Sequence, residues 1–154
     1  MEEVLAEVTK IIQQGRFVDE AFSEDYLVTV GVHVKKKAIT INEQEVSLII
    51  WDIEGNTSIE KARNSYLIGT QGFIYVFDIS RPETYENLES ELGYLAEHHS
   101  GVPFSLVGNK SDLFTTEFNQ EFFKEAIYEA CHFTSAKSGD QVETLFMDIA
   151  SKML

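Results

Sequence analysis

Apolar and polar positions change period several times along the chain, and each change marks an element. Val4, Val8, Ile11, Ile12 and Phe17 fall roughly on one helical face, with Glu2, Glu3, Glu7, Gln13 and Gln14 elsewhere. This spacing predicts a helix over Glu2–Val18, with acidic residues at the end where the helix dipole favours them. Phe22–Thr29 is polar and turn-like, hence a loop. Two alternating runs, His33–Ile41 and Glu45–Asp52, flank Asn42–Glu43–Gln44 and predict a hairpin. Thr57–Gly69 reads as partly helical. Gly72–Asp78 is a continuous apolar run bounded by glycine and aspartate, the mark of a strand covered on both faces. Pro82–His98 is predicted helical with Pro82 near its start, and Val102–Val107 is a second buried run. Thr116–Ala130 reads as a helix, Cys131–Thr134 as a short strand, and Gly139–Met153 as a final helix.

Strands alternating with helices after the hairpin predict a mostly parallel sheet with helices on both faces. No repeat, low-complexity stretch or linker interrupts residues 1–154, so one domain is expected. The 26 acidic residues against 12 basic ones leave a formal charge of −14, which disfavours nucleic acid and anionic lipid as partners. The longest apolar stretches are strand-length, so no transmembrane segment is expected. The acidic start does not resemble a signal peptide. A single cysteine, Cys131, excludes an internal disulfide and fits a reducing, cytoplasmic setting; its surroundings predict a buried structural thiol. His33, His98, His99 and His132 have no second cysteine nearby with which to build a zinc site.

In such sheets ligands sit at the carboxyl ends of strands. After Val102–Val107 comes Gly108–Asn109–Lys110–Ser111–Asp112, and after Cys131–Thr134 comes Ser135–Ala136–Lys137. The Glu45–Trp51 run leads into Asp52–Ile53–Glu54–Gly55. Taken alone, Asn109 and Asp112 suit turn capping as well as ligand binding. Together the N-K-x-D, S-A-K and D-x-x-G motifs, in this order, resemble the Ras superfamily of small GTPases. Thr29 resembles the switch-one threonine of that family. Phe22-Ser-Glu-Asp-Tyr26, Trp51 and Tyr66 give the resemblance a Rab-like flavour, and it runs from about Arg16 to Leu154.

The resemblance implies an α/β, three-layer P-loop-NTPase-like (Ras-like) G domain, its sheet mostly parallel with one antiparallel hairpin strand. It implies GTP or GDP and Mg²⁺ as cofactors. Asp112 would accept the N1–H and exocyclic amine of guanine, Asn109 would address the N7/O6 edge, and Lys110 would lie along the base. Ala136 would donate its N–H to O6, flanked by Ser135 and Lys137. Asp52 and Thr29 would serve the metal, and Gly55 the γ-phosphate. Asn56 stands where the family usually has a water-orienting glutamine; it is one methylene shorter, which argues for weak or no hydrolysis.

The larger departure is the phosphate loop G-x-x-x-x-G-K-S/T. Counting back from Arg16–Phe17 puts Lys10 opposite the loop lysine, Thr9 and Val4 opposite its glycines, and Ile11 opposite its hydroxyl residue. Side chains there forbid the usual nest of amides, and a first strand would be missing from the middle of the sheet. A pseudo-GTPase helix grown over the phosphate site, a truncated or spliced product, and a strand supplied by another chain, as in a strand-swapped homodimer, would each account for this. Two functions are therefore expected as alternatives. One is a degenerate guanine-nucleotide switch acting mainly as a partner-binding module. The other is a GTP-binding, Rab-like GTPase with slow hydrolysis. A protein effector or regulator would meet the switch and interswitch surface, where Trp51 and Tyr66 match two of the three aromatics of Rab-like proteins and Val34 replaces the third. Ser151–Lys152–Met153–Leu154 carries no prenylation motif.

Overall fold

A computed structural model of the chain describes residues 4–12, 32–54, 67–114 and 130–154. The predicted hairpin forms as β2 (Val32–Ile41) and β3 (Gln44–Glu54), paired antiparallel from Val32↔Ile53 to Ile41↔Gln44. Its turn is two residues, Asn42 and Glu43, both left-handed at φ 50° and 65°. Turns of that kind match the right-handed twist of the flanking strands.

Within the span Glu2–Val18 expected to be one helix, Val4–Ile12 is instead a strand, β1, and the rest lies outside the described residues. It runs parallel to β3 from Val4↔Val46 to Ile12↔Glu54, and parallel to β4 (Gly72–Asp78) from Val8↔Gly72 to Ile12↔Val76. The sheet order is β2-β3-β1-β4-β5-β6, with β5 spanning Phe104–Asn109 and β6 Cys131–Thr134. The slot expected to lack a strand is thus filled by the chain itself. Without β1, the facing edges of β3 and β4 would bury unpaired backbone groups. The gap that suggested a strand supplied by another chain does not exist here.

Every residue of β4 is buried, and alternate residues serve opposite layers. Ile74 and Val76 pack with Ile39, Val46, Leu48, Ile50 and Val107 beneath helix α2 (Val142–Met153), through Leu145, Phe146 and Ile149. Phe73, Tyr75 and Phe77 pack on the other face with Leu106 and with Leu88 and Leu95 of helix α1 (Leu88–His98). The run expected to be helical from Pro82 opens as a short 3-10 turn, Pro82–Thr84, before α1 begins. Lys37 ties the edge strand β2 to α2, its ammonium 2.8 Å from Glu143 and 5.5 Å from the centre of the Phe146 ring. Most of Thr57–Gly69, and all of Thr116–Ala130 but its last residue, lie outside the described residues. Among the described residues no helix is long and apolar enough to cross a membrane.

Candidate functional site

Strands β1, β3, β4, β5 and β6 run in one direction, so their carboxyl ends share one edge of the sheet. Asn109 closes β5 and is buried, next to Asp78 across the ladder on β4 and Thr134 on β6. Its Oδ1 accepts the Ala136 N–H at 3.0 Å and faces the Thr134 hydroxyl at 3.4 Å. With the amide oxygen engaged, the two N–H donors of Asn109 are, among the described residues, the atoms left for a ligand, and they suit the N7/O6 acceptors of guanine. The Ala136 N–H, expected to serve a base O6, is held by Asn109 and would have to share or leave that acceptor.

Lys110 adopts a left-handed conformation, φ 72° and ψ 35°, and leads into a 3-10 turn over Ser111–Leu113. Its carbonyl accepts the Leu113 N–H at 2.8 Å, which closes that turn. Asp112 is exposed at the loop tip, where its Oδ1 accepts the Ser135 hydroxyl at 2.6 Å. A carboxylate offers about four acceptor positions, so this bond leaves room for the donor pair of guanine. Ser135 is buried and also accepts the Ser138 N–H at 3.2 Å, whereas Lys137 is exposed. The two loops are therefore stitched together by side chains of the motifs themselves.

Sequence reasoning passed over Asp78. Its carboxylate is only 2% exposed, and the Lys110 ammonium lies 2.6 Å from Oδ2. Oδ1 accepts the Ser80 N–H at 2.9 Å and the Ser80 hydroxyl at 2.6 Å. The signal was present: a charged residue closes an apolar strand at the sheet edge already under inspection.

Asp52 is half-buried near the end of β3, in register with Lys10 on β1 and His33 on β2. Lys10, counted opposite the phosphate-loop lysine, is a β1 residue. Thr29, Gly55, Asn56 and Tyr66 lie outside the described residues. Of the two residues expected to serve Mg²⁺, the described part supplies Asp52, and no group of three His, Cys, Asp or Glu side chains converges there to hold a metal. On the interswitch surface Val34 is 53% exposed and lies directly across from half-buried Trp51. Cys131, expected to be buried, is half-buried, yet desolvation still pushes its thiol up to about 12, so it stays protonated at neutral pH.

The family model described as "Ras family" matches residues 7–154. The chain is 34% identical over 143 residues to Ras-related protein Rab-1A of Dictyostelium discoideum, an alignment covering 90% of this chain and 71% of that relative. Sheet order, motif positions and these matches agree: the chain belongs to the Ras family of small GTPases.

Proposed function

We propose that the chain is a degenerate guanine-nucleotide switch, with a base-reading loop but no phosphate grip, that acts mainly as a partner-binding module. One contrast carries this reading. The Asn109–Asp112 loop is tied to Ser135 and Ala136 in a form suited to guanine. In the family the phosphate loop follows the first strand, but after β1 this sequence reads Gln13–Gln14–Gly15–Arg16–Phe17–Val18–Asp19–Glu20, with one glycine and no lysine. A loop without glycines at the required places cannot wrap successive N–H groups around phosphates. Partners would meet the Val34–Trp51 surface. The single cysteine suits a cytoplasmic setting.

The alternative, a Rab-like GTPase with slow hydrolysis, is favoured by Thr29, Asp52 and Gly55 standing in the family's order. Calorimetric titration with GMP, GDP, GTP and ATP separates the two. The proposal expects GMP, GDP and GTP to bind weakly and alike, with ATP weaker. Asp112→Ala should lose about 1.5–3 kcal/mol of guanine binding, because a charged acceptor is removed. A steep gain from GMP to GTP, or stoichiometric nucleotide released from the purified protein on denaturation, would establish the alternative. No binding of any of them would leave only the partner-binding scaffold.

A further inference from the structure

The loop after β5 is held from two sides. Toward β6, Asn109 and Asp112 are bonded to Ala136 and Ser135. Toward β4, the Lys110 ammonium meets Asp78. Lys110 sits at φ 72°, a conformation that disfavours residues bearing a β-carbon, so the loop does not hold this shape on local preference alone. Asp78 is well placed to hold it. Its Oδ1 is fixed by both donors of Ser80, and its backbone N–H donates to Thr84 Oγ1 at 3.1 Å. Its Oδ2 therefore faces one direction, and burial makes a counter-charge there necessary. The Ile79 N–H donates to the Asn109 carbonyl at 3.2 Å, so the β4 end and the loop are also joined through backbone.

We propose that Asp78 is a positioning residue for base recognition: its ion pair with Lys110 holds the Asn109–Asp112 loop in its reading geometry before a nucleotide arrives. The inference rests on the base-pocket reading above for its functional half. Asp78 belongs to none of the three motifs and acts through Lys110, not on the base. A loop ordered in the free protein loses less freedom on binding, and the gain appears as affinity.

The test uses the full chain carrying Asp78→Asn, Lys110→Met, or both. Asparagine keeps the shape and the acceptor for Ser80 but removes the charge. Two readouts are taken: GMP and AMP affinity by calorimetry, and amide hydrogen exchange of residues 108–113 without nucleotide. Asp78→Asn should weaken GMP binding about tenfold, because the partly buried ion pair to Lys110 is lost, and speed exchange in the loop. Lys110→Met should do likewise, and the double variant should be no worse than Lys110→Met, because both substitutions break one interaction. Unchanged affinity and exchange in Asp78→Asn would overturn the proposal. So would additive losses, which would make Asp78 a general structural residue. If the wild type binds no GMP, the base-pocket reading fails, while the exchange arm still decides whether Asp78 holds the loop. Should Asp78→Asn not fold, Ser80→Ala, which removes one hydroxyl bond to Asp78, must produce smaller losses in the same readouts; no loss would overturn the idea.

Discussion

Gly108 lies in β5 immediately before the Asn109–Asp112 loop, and a β-carbon there would come within 2.9 Å of the Phe133 ring and of Ile79. Phe133 is on β6 and Ile79 just past β4, so overpacking at this point would push apart the strands whose ends form the site. Gly108→Ala should cost about 1–3 kcal/mol, read as a lower urea midpoint with an unchanged slope. Ser105, on the same strand, behaves oppositely: its Oγ is buried with no hydrogen-bond partner among the described residues. Ser105→Ala should therefore stabilise by about 1 kcal/mol in the same urea titration, since a desolvated hydroxyl is removed and little volume is lost. That Asn109, Lys110, Asp112, Ser135 and Ala136 would gather at one edge of the sheet was legible in sequence, because motif and strand end coincide. The Asp78–Lys110 pair and the capture of the Ala136 N–H by Asn109 were not, because each joins groups far apart in the chain. Spacing along a sequence carries no distance across a sheet.

At the scale of elements, β4 matches its apolar run from Gly72 to Asp78, and the hairpin follows its alternation on both sides of the turn. Both patterns are strong because burial on two faces, or on one, leaves a direct mark on composition. Val4–Ile12 gave the opposite result. Val4, Val8, Ile11 and Ile12 fit a helical face, while Val4, Ala6 and Val8 equally fit strand alternation. Short apolar segments carry this ambiguity, and long-range pairing resolves it. Here two strands, β3 and β4, need a partner between them, and that demand outweighs the local period. Val8 lies opposite both Ile50 and Gly72. Val8→Pro, which removes a ladder donor from a strand flanked on both sides, should abolish the cooperative thermal transition followed by circular dichroism. A transition that persists with its midpoint little changed would show that β1 is dispensable to the sheet.

For the molecule as a whole, alkaline pH is the informative axis. Burial raises the Cys131 thiol from 9.0 to about 12 and raises the Tyr85 hydroxyl above 10.0. The folded chain therefore keeps these protons at pH values where the unfolded chain has lost them, and stability falls as pH rises. The thiol's contribution is fully present below about pH 9 and declines from there toward 12, and that of Tyr85 declines above pH 10. Urea midpoints measured at intervals above pH 8 should show this decline, and Cys131→Val should flatten part of it. The amino-acid sequence by itself determined the hairpin, the fully buried strand β4, the α/β character and the three motifs. It could do so because periodicity and strand-end chemistry are local properties. Only the tertiary structure decided that Val4–Ile12 is the central strand, that Asp78 anchors Lys110, and that the Ala136 N–H is taken by Asn109. Those outcomes depend on which backbone edges and buried charges need partners once the sheet is assembled.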